Sequence, residues 1–201
     1  RANVAGMQRQ ISRFLDFDDP QCGAILVNNF DWMSGFSYLE FLRSIGKHFP
    51  VNSMLTKDSV RSRLERDDAG ISYTEFSYML LQAYDFVHLN RAHSCELQVG
   101  GSDQWGNITA GVELIRRRLS AQAFAVTHPL MVKSDGSKFG KSVGGAVWLD
   151  PVRTSPYQFR QFWMQVDDQM VPTYSRMLSL RPLAELEAQL AEHATAPERR
   201  I

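Results

Sequence analysis

The residues best suited to chemistry stand in three short stretches. The first is Cys95–Asn107, CELQVGGSDQWGN. Its Asp103 carboxylate can accept from ribose hydroxyls, and the Gln104 amide can both donate and accept. Gly101 lets a ligand approach the main chain closely. The same residues also spell a tight turn in which Ser102 or Asp103 caps a helix, and taken alone they do not separate the two readings. The glycines are not spaced as in the six-residue dinucleotide fingerprint. The second stretch is FSYMLLQAYDFV, where Tyr78, Gln82 and Asp85 interrupt an apolar run. Spacings of four and three put them on one helical stripe, which suits a pocket wall. Burying a carboxylate without partners costs roughly several kcal/mol, so Asp85 must be paired or must face a cavity. A core Asp satisfied by an arginine or a backbone N–H is the plainer alternative. The third stretch, Lys133–Gly145, KSDGSKFGKSVGG, has lysines and glycines and almost nothing to pack. Ordering such a loop is entropically costly. Beside a nucleotide pocket it suits gripping a polyphosphate as charge develops; elsewhere it is a soluble surface hairpin.

The elements that must position these residues follow from periodicity. Cys95, Leu97 and Val99 alternate with Glu96 and Gln98, the period of a strand, and Gly100-Gly101 is expected to end it. Ile108, Val112, Ile115 and Leu119 then recur at helical spacing. A strand that turns through glycines into a helix leaves free N–H groups at the strand's carboxyl end, where open α/β sheets bind nucleotides. Ser72 and Glu75 spell a capping box for a helix over 74–90, which is apolar nearly all round and expected to be buried on most faces. Residues 2–15 read as an amphipathic helix, 16–23 as a turn, 24–27 (AILV) as a short buried strand and 37–49 as a helix. Residues 52–67 read as a solvated helical pair and 124–131 as a second strand. Ser155-Pro156 is a helix start, and helices are expected over 156–166, 171–178 and 182–193. A domain boundary is expected near Pro151.

Composition sets outer bounds. Lys plus Arg and Asp plus Glu are 22 each in 201 residues, so the formal net charge is zero. Charge therefore neither predicts nor excludes a nucleic-acid partner. Arg116-Arg117-Arg118 could touch phosphate, but a last helical turn that complements the dipole is the plainer reading. The two cysteines, Cys22 and Cys95, give neither a disulfide framework nor a zinc spacing. His128 has no second His or Cys at ligand spacing, so no metal site is expected. No apolar run approaches a membrane span. The chain starts at Arg1 in a helical pattern and stops just after a helix, so it reads as the middle of a longer protein.

Together, LQVGGSDQWGNITAG, FSYMLLQAYDF, KFGKS and TSPYQFRQFW resemble, in wording and order, the bacterial-type tyrosyl-tRNA synthetases, class I aminoacyl-tRNA synthetases. The likeness covers nearly the whole chain. It implies an α/β fold: a Rossmann-like parallel sheet with flanking helices over 1–151, lacking its N-terminal part. The start of an all-helical, anticodon-binding domain would follow over 152–201. It implies a cytoplasmic tyrosine–tRNA ligase that activates L-tyrosine with ATP and Mg2+ and passes the tyrosyl group to tRNA, with no tightly bound cofactor. By the same likeness Tyr78 and Gln82 would hold the tyrosine ammonium, and Asp85 would accept the phenol hydroxyl. Gln104 would lie by the carboxylate, Gly101 and Asp103 would meet the ATP ribose, and Asn29 and Trp32 would lie near the tyrosine. Lys138 and Lys141 would bind the leaving pyrophosphate with Ser142 beside them. Family members are homodimers, and the stretch from Phe30 to Tyr73 would contribute to that contact. The family's His-Ile-Gly-His-type ATP motif is absent here, so this length alone is expected to form adenylate weakly or not at all.

Overall fold

Ser72 and Glu75 set the start of the longest helix. The Ser72 hydroxyl accepts from the Glu75 N–H at 3.2 Å, and the Glu75 carboxylate accepts from the Ser72 N–H at 3.2 Å. Two orphan amides are satisfied, and 21 helical residues follow. This computed structural model describes residues 2–57, 60, 61, 64, 70–137 and 147–199. In chain order the elements are α1 (Ala2–Ile11), α2 (Phe30–Met33), α3 (Tyr38–Ser44), α4 (Val51–Leu55), α5 (Tyr73–His93), β1 (Leu97–Gly101), α6 (Trp105–Leu119), β2 (Phe124–His128), α7 (Pro156–Met164), α8 (Val171–Leu178) and α9 (Leu183–Thr195). The chain divides into two compact units, Leu26–Leu130, and Arg1–Ile25 with Met131–Ile201.

In the Leu26–Leu130 unit, β1 and β2 pair in parallel from Leu97 opposite Phe124 to Gly101 opposite His128. α6 connects them, as a parallel pair requires. Gly100 and Gly101 end the strand as expected, as its last two residues. Thr127 and His128 offer them ladder partners. The strand's faces differ from the simplest reading of its alternation. Leu97 and Val99 are about half exposed, while Gly100 is set against α6: a Cβ there would lie 3.1 Å from Ile108 Cδ1 and 3.3 Å from Gln104 Cβ.

Helix α5 is covered on most faces, as expected: from Phe76 to Asn90 most side chains are buried or partly buried. Met79, Leu80, Ala83, Phe86 and Val87 are buried, and Tyr78 and Leu81 are exposed. The buried face meets α6 closely because Gly111 has no side chain; a Cβ there would lie 2.9 Å from Phe86 Cδ1. Ile45, Met54, Leu114 and Ile115 complete this core. Ser37 caps α3 by accepting from the Glu40 N–H at 3.2 Å.

In the other unit, α1 ends at Ile11, short of residue 15. Asp19 Oδ1 accepts from the N–H groups of Gln21 at 2.7 Å and Cys22 at 2.9 Å and so shapes the expected turn. These bonds to the ionised form hold the Asp19 carboxyl below its ordinary range. The AILV stretch, residues 24–27, which the division between the units splits after Ile25, forms no strand. Ile25, Leu26 and Val27 are exposed, and no described strand pairs with them; an apolar run becomes a strand only beside a partner. α7 starts as expected at Ser155-Pro156, with a capping box to Gln158. α8 and α9 are tied by Arg176, whose Nε and terminal N–H groups donate to Glu187 at 2.7 and 2.9 Å.

Candidate active site

Asp85 stands on α5 facing the start of α2. Its Oδ1 accepts from Trp32 Nε1 at 2.7 Å, and its Oδ2 accepts from Asn29 Nδ2 at 3.1 Å. Neither an arginine nor the backbone supplies these bonds, so the plainer reading of Asp85 fails in its details. Both donors are side chains, and each oxygen keeps room for a further bond, since a carboxylate offers about four lone-pair sites. Trp32 is itself fixed, its ring stacked on His88 at 4.3 Å between centroids and 15° between planes. His88 lies one turn beyond Asp85 and extends the polar stripe of α5. Sequence reasoning missed it, although its i,i+3 spacing was the available signal.

Tyr78 and Gln104 come together on another wall of the same unit. Both line a cavity of about 400 Å³ with Thr74, Phe76, Met79 and Asn107. Asp85 is not among the residues lining that cavity, and Gln82 lies between them on α5, partly buried. The Gln104 amide is oriented by Asn107, whose Nδ2 donates to Gln104 Oε1 at 3.3 Å. That leaves the Gln104 amide nitrogen to donate elsewhere. Asn107 is a second residue that sequence reasoning missed; it sits one helical turn from Gln104, within LQVGGSDQWGN.

The glycine turn is built for close approach. A Cβ on Gly101 would fall 2.7 Å from Leu130 Cδ2 and 2.8 Å from Asp103 Oδ1, so no larger residue fits without moving the Asp103 carboxylate. Asp103 is exposed in a 3-10 turn, Ser102–Gln104. Neither Ser102 nor Asp103 caps α6. Its N-cap is Gln104, with no side-chain cap bond, so the tight-turn alternative in its capping form does not hold. The 3-10 turn runs directly into this 15-residue helix, whose first N–H, on Trp105, is bonded to the Ser102 carbonyl, with the exposed Asp103 carboxylate beside it.

Lys138, Lys141 and Ser142 lie outside the described residues. The start of their loop is described and is a closed turn: the Lys133 N–H donates to the Ser137 carbonyl and the Gly136 N–H to the Lys133 carbonyl, both at 2.9 Å. His128 Nδ1 lies 2.9 Å from the carbonyl of the adjacent Pro129. Arg116 and Arg117 at the end of α6 pair with Glu113, and Arg117 donates to the His48 carbonyl at 2.6 Å. Among the described residues, no group of three or more His, Cys, Asp or Glu is placed to hold a metal ion, and no helix is long and apolar enough to cross a membrane.

Comparison with known proteins bears on this geometry. A family model described as "tRNA synthetases class I (W and Y)" matches residues 1–201. A "Tyrosine--tRNA ligase" of Roseiflexus castenholzii is 55% identical over 199 residues, which cover 99% of this chain and 47% of that protein. One from Rhodopirellula baltica is 59% identical over 185 residues, 92% of this chain and 41% of that protein. The chain thus spans less than half the length of these relatives. Among solved structures, a C-terminally truncated mitochondrial tyrosyl-tRNA synthetase of Coccidioides posadasii superposes with a TM-score of 0.73 at 27% identity, covering 98% of this chain and 58% of that one. Its counterpart from Aspergillus nidulans gives 0.69 at 29% identity, covering 98% and 55%.

Proposed function

This chain belongs to the class I tRNA synthetases of the tryptophan and tyrosine group, and from that premise we propose that it is the central part of a tyrosine–tRNA ligase. The observation that carries the choice of tyrosine is Asp85, a carboxylate held at both oxygens by Asn29 and Trp32. So positioned, it accepts a hydrogen bond from the phenol hydroxyl. Phenylalanine offers no donor to its remaining lone pairs; an indole N–H is a donor to a carboxylate, as Trp32 shows, so the preference over tryptophan is supported by the relatives, which are named as tyrosine–tRNA ligases. Tyrosyl-tRNA synthetases are themselves the standard example of this discrimination, in which the analogue lacking a hydroxyl is rejected because it strands a buried polar group. Tyr78 and Gln82 hold the ammonium, and the free amide nitrogen of Gln104 donates to the substrate carboxylate.

The reaction is an in-line attack. A tyrosine carboxylate oxygen bonds to the α-phosphorus of ATP, the bond to the bridging oxygen breaks, and pyrophosphate leaves. The tRNA terminal hydroxyl then displaces AMP from the tyrosyl adenylate. Positioning and charge stabilisation suffice for both steps, in keeping with a site that needs no nucleophilic side chain. Asp103 binds the ribose, Gly101 and the start of α6 form the nucleotide shelf, and Lys138, Lys141 and Ser142 take the pyrophosphate. Mg2+ enters with ATP as part of the substrate. Residues 152–201 begin the helical domain that meets the anticodon arm, and the work takes place in the cytoplasm. A homodimer is part of the same proposal. Tyr38, Leu39, Val51 and Tyr73 are all more than half exposed, and the Tyr38 and Tyr73 hydroxyls meet at 3.1 Å.

Tyrosine-dependent exchange of pyrophosphate into ATP by the full-length protein tests the assignment. Exchange is expected with tyrosine and not with phenylalanine or tryptophan. Background exchange with all three would refute it.

A further inference from the structure

We propose that Tyr174 is a positioning residue for tyrosine activation: from α8 it anchors the turn over 132–137, from which the lysine stretch continues. This inference rests on the function proposed above. The Tyr174 hydroxyl donates to the Val132 carbonyl at 2.7 Å, and the side chain is only 6% exposed. Its ring meets Trp163 edge-on at 6.2 Å and 87°, and Trp163 in turn packs on Phe159 and Phe162 of α7. The hydroxyl therefore projects from an aromatic cluster that holds it in place. Burial, with the Asp135 carboxylate nearby, pushes the phenol pKa above its ordinary value, so the group remains a donor.

The anchor is passed along the main chain. Val132 precedes Lys133, whose N–H is bonded to the Ser137 carbonyl at 2.9 Å. The Gly136 N–H closes the turn on Lys133, and Asp135 Oδ1 accepts from the Ser137 N–H at 2.8 Å. Gly136 sits at φ +77, a conformation that a side chain disfavours. One fixed carbonyl thus sets both arms of the turn, and Ser137 is the residue before Lys138. A cavity of about 270 Å³ beside the turn, lined by Lys133, Ser134, Phe162, Met170 and Tyr174, gives it somewhere to move once the bond is lost.

Tyr174→Phe keeps the ring and removes only the donor. In the full-length protein the rate of tyrosine-dependent ATP–pyrophosphate exchange is expected to fall roughly threefold to tenfold, the range that one net hydrogen bond supplies. The KM for tyrosine should stay unchanged. Gly136→Ala, in an exposed turn with no atom near the added methyl, should lower the rate in the same way without touching the core. In a Lys141→Ala background, Tyr174→Phe should have little further effect, because it acts through the loop. An unchanged rate in Tyr174→Phe, a rise in tyrosine KM alone, or full additivity with Lys141→Ala would each overturn the inference. Amide hydrogen exchange gives a readout that needs no activity: exchange over 131–137 should quicken in Tyr174→Phe while that of 171–178 holds. Unaltered exchange at 131–137 overturns the anchor even if the parent proves inactive, and an inactive parent with the expected exchange pattern faults only the functional reading.

Discussion

Asp85→Asn tests the tyrosine assignment most sharply. The new amide has the shape of the carboxylate but one acceptor oxygen in place of two. Trp32 Nε1 is only a donor, so the oxygen must stay on that side. The amide nitrogen then faces Asn29, which has to turn its own amide over to accept. Both contacts survive, but as neutral bonds of roughly half the strength, so the folded state should lose only about 1 kcal/mol. The phenol hydroxyl fares worse. The group that accepted from it loses its charge, and the nitrogen that replaces one oxygen is a donor. A hydrogen bond to a charged group is worth about 1.5–3 kcal/mol, which corresponds to roughly a tenfold to 150-fold loss in kcat/KM for tyrosine. The KM for ATP should barely change, because no described bond ties Asp85 to the glycine turn. Exchange kinetics with tyrosine varied at saturating ATP, then the reverse, supply the numbers, and a thermal melt checks the fold. A tyrosine kcat/KM within about threefold of the parent, or an equal loss on the ATP side, would refute the reasoning.

Four further perturbations follow from the same geometry. Lys141→Ala should cut the activation rate on the order of a hundredfold with tyrosine affinity unchanged, since the loop acts on charge in the transition state; a loss of tyrosine binding instead would contradict this. Gly101→Ala places a methyl 2.7 Å from Leu130 Cδ2 and 2.8 Å from Asp103 Oδ1. Overpacking of that kind costs about 1–3 kcal/mol, and the displaced Asp103 should raise the ATP KM before the tyrosine KM, as paired titrations would show. Burial first, and then the charges of Lys47, Arg118 and Arg117, hold the His48 imidazole below its ordinary 6.5. The unfolded chain then binds a proton that the native state resists, so stability falls as pH drops through 6.5 towards the lower native value. Urea unfolding at about pH 7.5 and about pH 5.5 should show a smaller acid loss in His48→Gln than in the parent. Leu39→Asp, on a side chain 76% exposed, should convert a dimeric parent to a monomer by sedimentation equilibrium. A parent that sediments as a monomer refutes the dimer.

How far the sequence can be read depends on how local each signal is. Ser72 with Glu75, Ser37, and Ser155 with Pro156 mark helix starts within four residues, and each start is where the spacing places it. The three helices after residue 155 fall within a few residues of expectation for the same reason. Gly100 and Gly101 mark the end of the strand, where the 3-10 turn Ser102–Gln104 takes over. AILV misleads, since apolar content promises a strand but only pairing makes one. The breadth of α5's apolar surface suggests burial on most faces, and α6 on one side with Trp32 and Phe36 against His88 and Tyr84 supplies it. In the site, the stripe Tyr78, Gln82, Asp85 is visible from helical spacing alone. That Asn29 and Trp32 hold this carboxylate is not legible locally, because they lie 56 and 53 residues from it.

By itself, then, the order of residues determined which segments are helical, which side chains share a stripe of α5, and that a strand, a glycine turn and a helix adjoin. These depend on bonds between residues a few positions apart. Tertiary structure alone decided that Asp85 is held by an amide and an indole rather than an arginine, that Gln104 shares a cavity with Tyr78, and that Tyr174 grips the carbonyl of Val132. Those pairings join distant parts of the chain, and it is the packing of whole elements, not any local preference, that brings their atoms within bonding distance.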